Sequence, residues 1–174
     1  ELESIPNWVF YFDALMVLEP STQKDFVRLA ELRASLIEKG WHIWAPCPHN
    51  LKCPLSGGRD WCHDRVEFEK PKWWDRIEEN LPIKNRTITY SYLLARKDRP
   101  VNVKKDMARL VGDQLVENGK TRQMVCRGPD REFVSWLHKE GSAPLEYRGS
   151  YILVPSDTEK RGNELRIKRE KATN

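Results

Sequence analysis

The sequence predicts an α/β fold, and three observations in its first half carry that prediction. Leu15 to Leu18 is a short apolar run stopped by Glu19-Pro20, an amphipathic stretch with helix punctuation follows directly, and Trp41 to Ala45 is a second strand-like run. Strand, helix of about five turns and strand in immediate succession form a parallel crossover unit. The helix is marked at both ends. Thr22 with Asp25 three residues on makes a capping box, Phe26, Leu29, Ala30, Leu36 and Ile37 share one face, and Gly40 stands where a C′ residue belongs.

From Pro46 to Trp61 the composition turns to Pro, Gly, Cys, His and Asn, which predicts a loop that something must hold. Pro71 to Leu81 is expected to form a short helix with a Trp pair. Thr87 to Ala95 alternates in the manner of a strand. The charged, Pro-containing segment Lys97 to Lys105 marks a boundary. Beyond it, Ala108 to Val116 and Thr121 to Arg127 flank Glu117-Asn118-Gly119-Lys120, a strong hairpin signal. Asp130 to Lys139 reads as a helix capped by Asp130 and stopped by Gly141, and Tyr151 to Val154 as a last strand. The mixed-charge tail from Ser156, with Arg166, Lys168, Arg169 and Lys171, is expected to be a solvated, flexible end. The expected division is 1–98, an α/β part with the Cys-rich loop 46–62; 99–155, a hairpin and helix extension; and 156–174, a basic tail.

At 174 residues, with 39% hydrophobic and 32% charged residues and seven Trp, the chain can build a core. The longest apolar stretch, Trp8 to Leu18, is interrupted by Asp13 and has no basic n-region or cleavage site before it, so neither a membrane span nor secretion is expected. A net charge of +4 is compatible with a polyanionic partner but does not establish one.

Cys47, Cys53 and Cys62 lie close together in the polar loop, and Cys126 ends the second strand of the hairpin. An intracellular cluster of this density points to a metal site more than to a disulfide, and polar Cys-Pro turns are poor places for inert buried thiols. Four thiolates suit either an iron–sulfur cluster or a tetrahedral zinc. The gaps between Cys47, Cys53 and Cys62 are wider than the two to four residues usual in zinc knuckles, which suits a bulkier cluster without requiring one. His49 and His63 stand beside the cysteines, as ligands of a Cys3His zinc site or as hydrogen-bond partners. His42 and His138 read as structural.

Taken in order, Leu18-Glu19-Pro20, Ala45-Pro46-Cys47-Pro48-His49, Cys53-Pro54-Leu55, Asp60-Trp61-Cys62-His63 and Thr89-Tyr90-Ser91-Tyr92-Leu93 resemble the small-ribosomal-subunit methyltransferase-like assembly factors, over about Leu15 to Cys126. The resemblance implies a 4Fe–4S cluster on Cys47, Cys53, Cys62 and Cys126. It also implies the carboxyl-terminal half of a class I methyltransferase-like, Rossmann-like sheet, starting near its fifth strand, with a cysteine-rich metal-binding insertion and a small β-rich extension. The expected partner is ribosomal RNA of the small subunit, and the expected compartment the bacterial cytoplasm or the mitochondrial matrix. S-adenosylmethionine would belong to a longer protein, because this chain has no Gly-x-Gly, and Gly57-Gly58 follows no strand.

No catalytic set can be assembled from the remaining residues. Lys104, Lys105, Arg109, Lys120, Arg122, Arg127 and Arg131 concentrate around the hairpin, and of these Lys104, Lys105, Lys120, Arg122 and Arg127 are the candidate phosphate contacts. The alternatives are an active rRNA methyltransferase whose cofactor-binding half lies outside this chain, and a zinc-stapled RNA-binding module.

Overall fold

A computed structural model of the chain describes residues 6–82, 86–101, 106–144 and 147–168. Its first sheet contains β1 (Ala14–Pro20), β2 (His42–Ala45), β3 (Asp64–Glu67) and β4 (Thr87–Arg96), with α1 (Gln23–Glu38) between β1 and β2 and α2 (Trp74–Glu78) before β4. The ends of α1 follow its sequence. The Thr22 hydroxyl accepts from the Asp25 N–H at 3.1 Å. At the other end Gly40, at φ +84°, closes a Schellman turn in which Gly40 N–H donates to Ile37 O and Trp41 N–H to Leu36 O, both at 2.9 Å. Leu29 and Leu36 of α1 then pack on Trp41, Ile43, Leu93 and Ala95 as one core.

β4 is the centre of this sheet. β1 lies antiparallel on one side of it, from Ala14 opposite Arg96 to Pro20 opposite Tyr90, and β2 and β3 lie antiparallel on the other. β1 and β2 therefore run in the same direction, as the crossover reading requires, but they are not neighbours, because β4 is inserted between them. Strand periodicity reports which face is buried and is silent about which strand lies alongside.

β2 leaves the β4 edge opposite Leu94, and β3 rejoins the same edge opposite Tyr90. The two are segments of one interrupted strand line, and the Cys-rich loop is the excursion between them. The loop runs on to His63, and β3, which the sequence does not announce, is an edge strand with Val66 as its single apolar residue.

The second sheet contains β5 (Met107–Leu110), β6 (Leu115–Glu117), β7 (Lys120–Cys126), β8 (Glu132–Leu137), β9 (Tyr151–Leu153), β10 (Glu159–Arg161) and β11 (Glu164–Arg166), in the order β10-β11-β8-β7-β5-β9, with β6 also paired to β7. The expected hairpin forms around Gly119 at φ +80°. Its first arm, expected as one strand over 108–116, is two strands with a bend between them, where Gln123 Nε2 donates to Gly112 O at 2.8 Å.

Two expectations fail in this half. Asp130 to Lys139 is not a helix: Glu132–Leu137 is a strand held antiparallel by β7 and parallel by β11. It is buried on both faces from Glu132 to Trp136, so it lacks the alternation that identifies a half-exposed strand, and the lone capping signals at Asp130 and Gly141 misdirect the reading. The tail is not wholly solvated either. β10 and β11 form a hairpin that extends the sheet, and Leu165 enters a core with Ala108, Leu110, Val125, Val134, Trp136 and Val154. Within a charged segment, this inward residue, Ile167 packed against the same core and the backbone pairing to β8 suffice. Arg169 and Lys171 lie outside the described residues.

Phe26 of α1, Leu55 of the loop, Val111 and Cys126 join the two sheets. The fold is α/β, with antiparallel pairing throughout the first sheet, mixed pairing in the second, and few helices. Among the described residues no helix is long and apolar enough to cross a membrane.

Candidate metal centre

The loop between β2 and β3 is polar, and it is fixed mainly by hydrogen bonds to its surroundings. Asn50 Oδ1 accepts from the Ile43 N–H at 2.9 Å, while its amide nitrogen lies 3.0 Å from His42 Nδ1. Tyr151 Oη donates to Pro46 O at 2.6 Å, Trp61 Nε1 to Ser21 O at 2.7 Å, and Ser91 Oγ to Cys62 O at 2.8 Å. Leu55, buried, is its apolar anchor.

This path brings Cys47, Cys53 and Cys62 to the wall of one cavity, and β7 delivers Cys126 to the same wall. All four are free thiols. Residues far apart in sequence meet here because the second sheet packs its β7 end against α1 and the loop. Among the described residues no group of three or more His, Cys, Asp and Glu side chains is gathered closely enough to hold a metal ion as it stands.

Burial governs the thiol chemistry. It pushes the Cys62 thiol from its ordinary 9.0 up to about 11, against the opposing pull of Arg109. Burial raises Cys126 and Cys47 as well, and the neighbouring thiols add to the rise in Cys126. These three are therefore neutral at neutral pH unless a metal displaces their protons.

Two buried guanidinium groups share the cavity. Arg109, 2% exposed, is ion-paired with Asp64 and donates from Nη1 to Cys62 Sγ at 3.0 Å. Arg33, 5% exposed, donates from Nη2 to His49 O at 2.7 Å and lies against the Cys47 thiol.

The histidines beside the cysteines have distinct surroundings. Burial and the Arg33 charge lower His49 to about 4, so it is neutral at neutral pH. Its Nδ1 accepts from the Leu51 N–H at 3.1 Å, which leaves Nε2 carrying the proton 3.4 Å from Cys126 Sγ. Burial and Arg148 likewise lower His63, whose Nε2 lies 2.6 Å from Arg148 Nη1. His138 Nε2 lies 3.0 Å from Thr121 Oγ1.

The candidate phosphate contacts on the hairpin are ion-paired within the chain. Lys120 pairs with Glu164, Arg122 with Glu117 at 2.6 Å, and Arg127 with Glu132 at 2.7 Å. Arg131 pairs with Asp60, and Arg109, grouped with them by sequence, is instead buried beside Cys62. Lys104 and Lys105 lie outside the described residues.

Sequence reasoning overlooked Arg33 and Asp64 and misassigned Arg109. A signal for Arg33 was present: it falls on the buried stripe Phe26, Leu29, Leu36 of α1, where a cation demands a reason. Nothing local distinguishes Arg109 from a solvated cation.

No curated protein matches the chain closely enough to count as a relative. The family model described as mitochondrial small ribosomal subunit Rsm22 matches residues 6–143, a span that takes in both sheets' shared core and all four cysteines, and the chain belongs to that family.

Proposed function

We propose that the chain is an iron–sulfur, methyltransferase-like factor of the small ribosomal subunit that binds its ribosomal RNA. Family membership implies a role in small-subunit assembly or function. The iron–sulfur part rests on one observation: four thiols from two distant parts of the chain line a single pocket that also receives two buried guanidinium groups. Such a wall suits a soft, negatively charged occupant. A single zinc ion at Zn–S distances of about 2.3 Å needs its sulfurs roughly 3.8 Å apart. A larger cluster tolerates the looser arrangement, and Cys47, Cys53, Cys62 and Cys126 would hold it. All four donors come from protein, so the centre's role is structural, fastening the loop to β7.

The β1–α1–β2 unit with β4 inserted is consistent with the carboxyl-terminal part of a methyltransferase-like sheet. Methyl transfer would need an S-adenosylmethionine site, for which this sequence contains no Gly-rich loop. RNA binding would use Lys104, Lys105, Lys120, Arg122 and Arg127. The last three reach phosphates only by exchanging Glu164, Glu117 and Glu132 as partners, so each contributes less than a free cation.

The test is binding of the metal-loaded chain to small-subunit rRNA fragments, beside an unrelated protein of equal charge. Tighter, salt-sensitive binding supports the reading. Equal binding by the two proteins contradicts the RNA part.

A further inference from the structure

We propose that Arg33 and Arg109 are fixed counter-charges of the thiolate-bound centre, retaining its negative charge inside the cavity and raising its reduction potential. The inference rests on the iron–sulfur reading above. It starts from an imbalance. Arginine stays charged in proteins, and a buried charge requires a partner. Arg109 has Asp64, but Arg33 makes no ion pair among the described residues. The Nε atoms of both have no hydrogen-bond partner there. Both side chains line the cavity of the four cysteines, amid apolar groups such as Phe26, Leu29 and Val111. Among the fixed charges of its lining that cavity holds one cation too many, since the two guanidinium groups face the single carboxylate Asp64.

Four thiolates around a 4Fe–4S core in its oxidised state carry a net charge of about −2, which offsets the excess cation and leaves the site net negative. One-electron reduction adds one further negative charge and breaks no bond. A cation fixed beside the cluster, and N–H donors aimed at its sulfurs, stabilise the reduced form more than the oxidised one. Arg109 already donates to Cys62 Sγ at 3.0 Å. The Arg33 guanidinium lies against Cys47.

The experiment uses the full chain, loaded anaerobically, with Arg33→Met, Arg33→Lys and the exposed α1 control Lys24→Gln. Midpoint potentials come from a dithionite titration followed by electron paramagnetic resonance, and cluster retention from the loss of visible absorption to a chelator. At the wild-type midpoint, Arg33→Met should show a reduced-to-oxidised ratio about tenfold lower, a shift of about 59 mV downward. It should also lose its cluster faster, while Arg33→Lys and Lys24→Gln stay near wild type. If Arg33→Met fails to fold, Arg33→Gln removes the charge and keeps an amide donor for His49 O. An uncharged variant with wild-type midpoint and retention overturns the proposal. A wild-type chain that takes zinc and no iron sinks the cluster reading instead. The counter-charge claim is then judged on zinc retention, and equal retention by the uncharged variant overturns it.

Discussion

Replacing Asp64 by Asn removes one charge and almost no volume, which makes it a clean probe of the cavity's electrostatics. The Asp64 and Arg109 side chains are 12% and 2% exposed, and the pair is direct. Breaking a buried pair by removing one partner costs about 3–5 kcal/mol, because the remaining charge is left uncompensated. In the metal-free chain this should lower the urea midpoint by about 2 M, taking an m-value of roughly 2 kcal/mol/M. The assay is equilibrium unfolding of the metal-free chain under reducing conditions. The double variant Asp64→Asn with Arg109→Met should recover much of the loss, since replacing a buried ion pair by apolar groups is often close to neutral. In the metal-loaded chain the single variant should lose less, because the anionic centre faces Arg109. A shift below about 0.5 M, or a double variant as unstable as the single one, would refute this account of Arg109.

Replacing Cys62 by Ser should release the metal and speed proteolysis within residues 46–61, read by metal analysis and limited digestion; unchanged metal and cleavage would contradict it. The metal-free chain should be most stable between about pH 6.5 and 9. The raised Cys62 thiol contributes stability that is complete below 9.0 and lost as pH rises through about 11, whereas the lowered His49 contributes stability that is complete above 6.5 and lost as pH falls through about 4. Thermal melts across pH measure both limbs, and a midpoint that stays flat from pH 7 to 11 would contradict the first. Neutralising Lys104, Lys105, Lys120, Arg122 and Arg127 together should weaken binding to all RNA sequences alike and flatten the salt slope by at most about 3.5, at roughly 0.7 per contact. An unchanged slope would assign the three hairpin cations to holding β7 against its neighbours.

Local signals announced what local physics determines. Thr22, Asp25 and Gly40 delimit α1 because caps act within a turn, and Asn118-Gly119 marks the β6–β7 turn because its backbone demands positive φ. Partners were not legible. The insertion of β4 between β1 and β2 and the pairing of β8 with β11 are decided by contacts between distant segments. The four cysteines stand out by composition and group as one candidate metal site on that ground, whereas a 4Fe–4S cluster on them is what the family resemblance implies. Arg33 went unread because an arginine on a helix is solvated by default, and only its place on the Phe26–Leu36 stripe argues otherwise.

The central claim is that Cys47, Cys53, Cys62 and Cys126 together hold one iron–sulfur cluster, and its most direct test is iron and acid-labile sulfide per chain after anaerobic purification, with the visible spectrum recorded on the same sample. The account predicts roughly four of each per chain and a broad visible band, all reduced when any one of the four cysteines becomes Ser. About one zinc per chain, a silent visible spectrum, or a Cys126→Ser variant with full iron content would contradict it.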